Sequence, residues 1–515
     1  MLSLTILSVF ALLLTTLLIR TIQTHITRRQ NVKKWGCKPP TVAPSAFFGI
    51  PAFMRLATAV KEKRWVEYIA ARYTEYGNTF DQTMLGRVAT STIEPENIKA
   101  VLATQFNDFC LGTRHREFYP TLGDGIFTLD GKGWAHSRAL LRPQFTRDQV
   151  ADLDLMSAHV TRLITIIPTT TPFDIQQLFF QLTIDSATHF LFGESVGALE
   201  DNAVLGKSSL GNETAFSEAF NTAQEYLAWR SMALTFYWTI NPKPFREANR
   251  RIHEVVDYYV NKALDAKRNR NRNLEKKEKD GEGNGRYIFA EALASETEDP
   301  KALRDQLLNI LLAGRDTTAS LLSSAFWFLA RDQRVWKKLR NIIVAEFGDE
   351  KNPRGEITHA RLKNMDPYLR YVLNEVLRLL PPVPLNFRVA TKDTTLPLGG
   401  GSDGKSPIFI PKGRPILYSV YAMHRRKDLF GEDAELFRPE RWEGFAPVWQ
   451  YLPFNGGARM CLGQQYALTE ASFTIVRLLM RFEKLENGEP EVESPRIQSN
   501  LTLAHGGNGV VVRLA

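Results

Sequence analysis

Cysteine is scarce in this sequence, whose 515 residues include 3 cysteines, Cys37, Cys110 and Cys461. An odd number of widely separated cysteines predicts neither a disulfide framework nor a zinc knuckle, and it favours a reducing compartment. We expect Cys37 and Cys110 to be inert, buried thiols. The chain also lacks an internal repeat and a proline- or glycine-rich linker that would divide its body.

No recognised nucleic-acid motif accompanies the basic residues, which are spread along the chain and give a net charge of +9. A diffuse excess of this kind predicts no nucleic-acid partner. It fits attraction to anionic lipid or to an acidic protein partner. The composition, 44% hydrophobic and 23% charged, is that of a globular protein and excludes wholesale disorder.

Charge is absent from Leu2 to Ile19, a stretch that would span roughly 27 Å as a helix, close to the thickness of a bilayer core. Basic residues with no acid among them follow, at Arg20, Arg28, Arg29, Lys33, Lys34 and Lys38. By the positive-inside rule the rest of the chain stays cytoplasmic. We therefore predict a transmembrane anchor at residues 1–20, a basic, proline-containing connector at 21–44 and one large domain at 45–515. The alternative, a cleaved signal peptide, would carry a basic segment before the apolar run and a small-residue cleavage site after it.

Apolar residues at three- and four-residue spacing predict helices over most of the body. The predicted helices cover residues 59–76, 94–109, 145–166, 174–192, 214–234, 244–270, 300–331, 333–347, 367–380 and 464–482. The predicted strands are short, at 79–84, 86–92, 386–397, 407–410, 415–418 and 509–514. Residues 267–285 are polar, charged and glycine-rich, which predicts an exposed loop. The fold class is therefore mainly α with small β-sheets (α+β).

Residues 302–331 are apolar on nearly every face, which predicts a helix buried throughout. Arg315 and Asp316 lie at its centre, where they would be costly in lipid, so a core helix is favoured over a second membrane span. Two explanations of this pair stay open: a structural ion pair, or a polar break at a functional site.

Cys461 lies in a glycine-rich loop, Phe454-Asn-Gly-Gly-Ala-Arg-Met-Cys-Leu-Gly463, just before a predicted helix. The helix N-terminus and the guanidinium of Arg459 both favour a thiolate at this position. Such a thiolate suits nucleophilic catalysis or metal ligation. A cysteine hydrolase would need a histidine base within reach, and none lies nearby in the sequence.

The pattern Phe-x-x-Gly-x-Arg-x-Cys-x-Gly resembles the haem-binding loop of the cytochrome P450 family. Further motifs resemble that family and follow its order along the chain: Trp134-Ala-His-Ser-Arg138, Ala313-Gly-Arg-Asp-Thr-Thr318, Glu375-Val-Leu-Arg378 and Phe437-Arg-Pro-Glu-Arg-Trp442. The resemblance implies the cytochrome P450 fold with a buried haem b, whose iron takes Cys461 as axial ligand. Relatives with a covalently attached haem carry a glutamate at the position of Ala313, so non-covalent haem is expected.

The resemblance also implies roles for the other motif residues. Asp316 and Thr317 would be the catalytic residues that relay protons to bound oxygen. Planar, charged donors suit carboxylates, and the donors expected to hold the haem propionates are Trp134, Arg138, Arg459 and Arg388. The residues expected to form a buried structural ion-pair network are Glu375, Arg378 and Arg441.

The stretches Ala313-Gly-Arg-Asp-Thr-Thr-Ala319 and Pro384-Leu-Asn-Phe-Arg-Val-Ala390 resemble more narrowly the fungal branch that hydroxylates n-alkanes and fatty acids, often at the terminal carbon. The resemblance implies a membrane-bound monooxygenase of the endoplasmic reticulum, which inserts one oxygen atom of O2 into a C–H bond of a hydrophobic substrate. No nicotinamide or flavin module is evident, so electrons would come from a separate NADPH–cytochrome P450 reductase, with cytochrome b5 as a second donor. The pocket walls are expected at residues 105–125, 216–240, 305–317, 382–388 and 498–505.

Other functions stay open at this point. A tailoring oxygenase of a fungal secondary-metabolite pathway, acting on a toxin, polyketide or terpenoid, would keep the fold and differ in the shape of its pocket. A non-catalytic haem-binding sensor would need neither Asp316 nor Thr317 and no reductase. A peroxygenase or dehydratase is disfavoured by the presence of both the acid and the alcohol.

Overall fold

The computed structural model describes residues 2–145, 153–200, 213–274, 287–499 and 501–515. Helices make up most of them and confirm the predicted fold class, mainly α with small β-sheets. In chain order the α-helices are α1 (Leu2–Lys34), α2 (Ile50–Lys61), α3 (Trp65–Tyr76), α4 (Pro95–Lys99), α5 (Arg114–Leu122), α6 (Gly131–Leu141), α7 (Asp154–Ile166), α8 (Ile175–Phe192), α9 (Glu213–Met232), α10 (Lys243–Leu274), α11 (Phe289–Glu296), α12 (Pro300–Arg331), α13 (Gln333–Phe347), α14 (His359–Asn364), α15 (Tyr368–Leu379), α16 (Val420–Met423), α17 (Lys427–Phe430) and α18 (Gln464–Arg481).

The strands are short and lie beside the helical core. They are β1 (Thr41–Val42), β2 (Thr79–Met84), β3 (Arg87–Thr92), β4 (Phe109–Cys110), β5 (Phe173–Asp174), β6 (Leu385–Ala390), β7 (Thr394–Gly400), β8 (Ser406–Ile410), β9 (Pro415–Ser419), β10 (Leu485–Asn487), β11 (Ile497–Ser499), β12 (Leu503–His505) and β13 (Val511–Leu514). The largest sheet has the order β1-β2-β3-β9-β6-β4. Strand β6 is antiparallel to both of its neighbours, and this pairing carries residue 388 toward the core.

Helix α12 is the centre of the core. Asp299 caps its N-terminus by accepting the N–H of Lys301 at 2.9 Å, and Pro300 occupies the first turn, where its missing N–H costs nothing. The helix packs against α8, α15 and α18, and its buried residues extend from Leu303 to Ala330. The prediction of a helix buried throughout is therefore confirmed.

Helix α1 changes the expected picture of the N-terminal segment. It continues to Lys34, so much of the predicted connector at 21–44 is helical. Among the described residues, α1 is the one helix long and apolar enough to cross a membrane. Its end rests on the body, because Arg28 forms an ion pair with Asp393 at 3.2 Å and Trp35 stacks on Phe409.

Two elements predicted as continuous are broken in the structure by tertiary contacts. The helix expected at 59–76 is interrupted between α2 and α3 at Lys63, which has a φ of +60° and whose carbonyl accepts the N–H of Ile497 at 2.7 Å. The strand expected at 386–397 divides into β6 and β7, which belong to different sheets. Both breaks coincide with hydrogen bonds to segments that are distant in the chain. The local spacing of apolar residues does not indicate such contacts.

Other predicted boundaries also shift. The α-helix expected at 94–109 ends at Lys99. After it the chain forms a π turn, a 3-10 turn and then strand β4. Part of the loop expected at 267–285 is helical, because α10 extends to Leu274. The rest of that loop, from residue 275, lies outside the described part of the chain. So do residues 146–152 of the helix expected at 145–166. The helices that lie outside every predicted range are α5, α6, α11, α14, α16 and α17.

Candidate active site

A cavity lies where the middle of α12, strand β6 and residues 454–463, here called the cysteine loop, converge. Its volume, counted with its opening to solvent, is ≈ 1710 Å³. Most of its lining is apolar, with Phe127, Phe190 and Leu321 among the lining side chains. A concave, mostly apolar cavity with a few polar groups on its walls is the usual form of a ligand-binding site.

The cysteine loop presents Cys461 to this cavity. The backbone N–H of Cys461 donates to the carbonyl of Phe454 at 3.0 Å, which closes the loop. Protein atoms crowd the thiol, but Cys461 remains exposed, and its accessible surface opens into the cavity. Burial raises the pKa of Cys461, against the opposing effects of the Gly463 backbone N–H and the Arg138 guanidinium. The local groups act in the expected direction, since both lower the pKa, but desolvation outweighs them in the protein without a metal ion.

The shape of the loop depends on a glycine. Gly457 has a φ of +64°, and a Cβ at this position would lie 2.0 Å from the carbonyl oxygen of Leu102. Only glycine fits this turn, since the backbone conformation is unfavourable for other residues and no space is left for a side chain. Helix α18 then begins at Gln464, three residues after the cysteine.

One wall of the cavity carries a cluster of arginines, here called the arginine wall: Arg114, Arg138, Arg388 and Arg459. Arg388 is 3% exposed, and its Nε has no hydrogen-bond partner among the described residues. Trp134 lies between two of the guanidiniums, with its ring centroid 4.6 Å from Cζ of Arg459 and 5.9 Å from Cζ of Arg138. The structure thus brings all four predicted propionate donors to one place and adds Arg114.

The arginine wall carries more positive charge than the protein neutralises. Among the described residues Asp130 is its one ion-pair partner, with Arg459 Nη2 at 2.7 Å from Asp130 Oδ1. Burial, together with repulsion from Arg388, lowers the pKa of both Arg114 and Arg459 to about 10. A flat group with two carboxylates would relieve this repulsion and supply the missing acceptor, so the residues present fit a haem.

Arg114 is a candidate site residue that sequence reasoning missed. It begins α5, donates to Asn386 Oδ1 at 2.7 Å and has its Cζ 4.7 Å from the ring centroid of Phe387. Nothing in the local pattern distinguishes it from Arg116, two residues further on, which is exposed. Only the pairing of α5 with the distant strand β6 identifies it.

The middle of α12 is the opposite wall. Ala313, Gly314 and Thr317 line the cavity there, and the Thr317 hydroxyl donates to the Ala313 carbonyl at 2.8 Å. Two small residues leave space for a ligand beside the helix, and Thr317 is the nearest polar residue in sequence that also lines the cavity. With alanine at 313, no side chain is present there that could form an ester with a cofactor.

Asp316, predicted to act beside Thr317, is not among the described residues that line the cavity. Its carboxylate lies 3.4 Å from Arg315 Nη1 and is hydrogen-bonded by Gln224 of α9. Burial raises the pKa of Asp316 above its ordinary value, while Arg315 opposes the shift. Adjacent residues on a helix point about 100° apart, so the two members of the expected pair face different neighbours. The ion pair with Arg315 is present in the structure.

Glu470 of α18 is a second residue that sequence reasoning missed. It is 2% exposed and hydrogen-bonded by Ser186 of α8 and Thr318 of α12, and Thr318 lines the cavity. Burial raises the pKa of Glu470 to about 7, although both hydrogen bonds oppose the shift. The available signal was an acid on the otherwise apolar face of a predicted helix.

Glu375, Arg378 and Arg441 form a buried network at the C-terminal half of α15. Glu375 and Arg378 are both 0% exposed, and their charged groups approach to 2.8 Å. Arg441 Nε reaches the same carboxylate at 3.1 Å and Trp442 Nε1 reaches it at 3.0 Å. These residues do not line the cavity, and the network joins α15 to the segment 434–441.

The cavity walls agree only in part with the expected ranges. Residues from 105–125, 305–317 and 382–388 contribute, whereas no described residue of 216–240 or 498–505 does. Helix α8 contributes instead, through residues such as Ala187. The residues of α8 that face α12 are apolar, and the sequence does not distinguish such residues from those of the hydrophobic core.

Comparison with known families shows to which protein family the chain belongs. The family model described as "Cytochrome P450" matches residues 44–509, which include the arginine wall, the middle of α12 and the cysteine loop. The chain belongs to the cytochrome P450 family. The predicted family is thereby confirmed. The P450 fold, the monooxygenase class and a cysteine-ligated haem b as the cofactor follow from it.

Yeast P450s resemble this one along nearly its full length. The chain is 50% identical over 489 residues to "Cytochrome P450 52A12" of Debaryomyces hansenii, covering 92% of this chain and 91% of that protein. It is 49% identical over 479 residues to "Cytochrome P450 52A3-B" of Candida maltosa, covering 91% and 89%. It is 46% identical over 508 residues to "Cytochrome P450 52A6" of Candida tropicalis, covering 96% and 94%. This P450 is membrane-bound, receives electrons from a reductase and acts on a hydrophobic substrate.

Proposed function

We propose that this P450 hydroxylates fatty acids and n-alkanes, with the terminal carbon as the preferred position. The observation that carries the proposal is the apolar cavity, whose α12 wall has small residues and two threonines, Thr317 and Thr318. The chain is also 46–50% identical to three yeast P450 52 proteins, and its motifs resemble the fungal branch of alkane and fatty-acid hydroxylases. An apolar chamber lowers the cost of burying a hydrocarbon chain, which gains about 0.8 kcal/mol per buried CH₂.

We propose that Cys461 is the axial ligand of the haem and that the arginine wall holds the haem carboxylates with Trp134. The haem, when bound, supplies the activation of dioxygen and the oxidation of the C–H bond. The protein supplies the thiolate, the cations and the apolar surroundings. Arg138 and Arg388 have no ion-pair partner among the described residues, which leaves their guanidiniums available for such carboxylates.

We propose that Thr317 delivers protons at the cavity and that Asp316 acts behind it. The Thr317 hydroxyl is the group in position to hold a proton or an ordered water at the α12 wall. Asp316 is buried with a raised pKa and can store a proton one residue away from that wall. Its role is therefore indirect.

We propose that α1 anchors the enzyme in the endoplasmic reticulum membrane as a single pass, with the catalytic domain on the cytoplasmic side. The basic residues at the end of α1 support this orientation. The electron donor proposed is NADPH–cytochrome P450 reductase, with cytochrome b5 as a second donor. The net charge of +9 favours acidic partners of this kind.

The substrate proposal is tested by incubating microsomes that contain this P450 and a reductase with NADPH and a panel of fatty acids and n-alkanes. We expect products hydroxylated at the terminal carbon, identified by mass spectrometry. Substrate binding spectra given only by polycyclic compounds would overturn the proposal and favour a tailoring oxygenase. Binding of haem without NADPH-dependent turnover of any compound would favour a sensor.

The role of Thr317 is tested by Thr317→Ala. The variant loses the hydroxyl at the cavity, so the product formed per NADPH consumed should fall at least about tenfold, because a positioned proton donor typically contributes two to four orders of magnitude. The haem-thiolate spectrum should be unchanged. Product and NADPH consumption are measured in the same reaction.

Ser323→Ala is the matched control for this variant. Ser323 lies on the same helix and donates to a carbonyl four residues back, that of Ala319, at 2.7 Å, but it does not line the cavity. It should keep the ratio of product to NADPH of the unmodified enzyme. If Thr317→Ala also keeps that ratio, the proton-delivery role is refuted.

A further inference from the structure

Arg230 on α9 is a buried cation without an ion-pair partner among the described residues. It is 5% exposed, and its guanidinium donates to backbone carbonyls of two separate segments. Nε donates to Glu117 at 2.7 Å and Nη2 to Arg116 at 3.1 Å, both in α5. Nη1 donates to the carbonyls of Tyr237 at 3.3 Å and Ile240 at 2.7 Å, in the connection between α9 and α10.

The sequence of α5 explains why a donor is needed there. Pro120 lies inside this helix and has no N–H, so the carbonyl of Arg116, four residues earlier, lacks its helical hydrogen bond. The contact of Arg230 with this carbonyl is partly buried, and a carbonyl left unsatisfied away from water costs about 1–3 kcal/mol. Arg230 supplies a donor to this carbonyl from outside the helix.

A second contact ties α9 to the same helix. The Ser231 hydroxyl donates to the Glu117 carboxylate at 3.3 Å, and the Thr113 hydroxyl donates to the same group at 2.7 Å. The Arg230 guanidinium also lies over the rings of Tyr237 and Phe245, at 5.3 and 5.6 Å. Arg230 is therefore held in one geometry from both sides.

The position of α5 affects the cavity directly. Its first residue, Arg114, belongs to the arginine wall, and Leu111 just before it also lines the cavity. Arg114 lies within one helical turn of the two carbonyls that Arg230 binds. A shift of α5 at those carbonyls would therefore also move Arg114 and this part of the cavity wall.

We propose that Arg230 is a positioning residue, which supplies the hydrogen bond that Pro120 removes and fastens α5, with Arg114 on the cavity wall, to the α9–α10 connection. Local unfolding of α5 and of the α9–α10 connection should then be coupled, because one planar guanidinium donates hydrogen bonds to carbonyls of both segments. Lysine has a single ammonium and cannot span them. The use of lauric acid as a binding probe below rests on the proposed function, whereas the proposed link between α5 and the α9–α10 connection does not.

The experiment compares the full-length haem enzyme with its Arg230→Lys variant by amide hydrogen exchange. We expect the exchange of residues 114–122 and 233–242 to accelerate together by about tenfold, as the loss of one or two buried hydrogen bonds implies. Arg250→Lys is the matched control, since Arg250 is an exposed arginine on α10 that pairs with Glu254 at 2.6 Å. It should leave the exchange of both segments unchanged. Acceleration of one segment without the other would overturn the proposed coupling.

The variant Pro120→Ala tests the cause. It restores an N–H opposite the Arg116 carbonyl, so Arg230→Lys should accelerate the exchange of residues 114–122 less in this background than in the parent. An equal acceleration in both backgrounds would refute the compensation for Pro120. Both comparisons use the same protein preparations and do not depend on turnover.

A binding readout separates positioning from simple destabilisation. In Arg230→Lys the dissociation constant of lauric acid, from its binding spectrum, should rise about tenfold, while the haem-thiolate spectrum and the rate at saturation stay unchanged. A loss of the haem-thiolate spectrum, or an unchanged dissociation constant, would overturn the positioning role. If lauric acid does not bind the unmodified enzyme, the proposed substrate class has failed, and the exchange results still decide the role of Arg230.

Discussion

Replacing Cys461 with alanine should abolish both the haem-thiolate spectrum and NADPH-dependent turnover. Among the described cysteines, Cys461 is the one whose thiol opens into the cavity. The pKa of this thiol is raised by burial, so the protein surroundings alone do not keep it ionised. Coordination by an iron is what would deprotonate it. Without the sulfur, none of the described residues that line the cavity offers a thiolate, and the electron donation that favours O–O cleavage would be lost.

The measurement is the spectrum of the reduced carbon monoxide complex, recorded together with the haem content of the purified protein. Cys37→Ser and Cys110→Ser are the controls, since neither residue lines the cavity. Both should retain the Soret band of a thiolate-ligated carbonyl complex at wild-type intensity. A thiolate-type band in Cys461→Ala, or its loss in either control, would contradict the assignment of the axial ligand.

Glu375→Gln should destabilise the fold strongly, although the two side chains have nearly the same shape. Glu375 accepts five hydrogen bonds, from Nε and Nη2 of Arg378, Nε of Arg441, the indole N–H of Trp442 and the backbone N–H of Arg438. An amide removes the negative charge between two buried guanidiniums and turns an NH₂ toward donors. Breaking a buried ion pair in this way costs about 3–5 kcal/mol, a large part of a stability of about 5–15 kcal/mol.

The consequence should appear as a large loss of folded holoenzyme and a lower thermal midpoint of the remainder. Glu435→Gln is the matched control, because Glu435 pairs with Arg425 at 3.1 Å and its side chain is 66% exposed. An exposed pair contributes about 0–1 kcal/mol, so the yield and the midpoint should stay near wild type. Equal midpoints for Glu375→Gln and Glu435→Gln would show that the network does not stabilise the fold.

Much of the helical core could be predicted because its signal is local. Residues 300–331, 333–347 and 464–482 have long apolar faces, and the structure has helices there within two residues of the expected ends. The elements that were mispredicted depend on distant partners. Lys63 leaves the helical conformation where its carbonyl meets Ile497, and no pattern near Lys63 reports that contact.

The candidate site divides in the same way. The cysteine loop and the α12 motif are contiguous in sequence, so their residue types and spacing identified them. The direction in which each side chain points was not available: Thr317 faces the cavity, whereas Asp316 faces Arg315 and α9. Glu470 and Arg230 act across contacts between helices far apart in the chain, and single residues of this kind leave no local pattern.

The sequence by itself determined the family of this protein, its cofactor and the residue expected to bind the iron, because ligand, loop and helix start lie within one short stretch. The tertiary structure decided which cations share the arginine wall, which polar group of α12 reaches the cavity and how α5 is fastened to its neighbours. Those properties follow from packing between segments that are far apart in the chain. Burial and mutual repulsion arise only when such segments meet, and they cannot be read from local spacing.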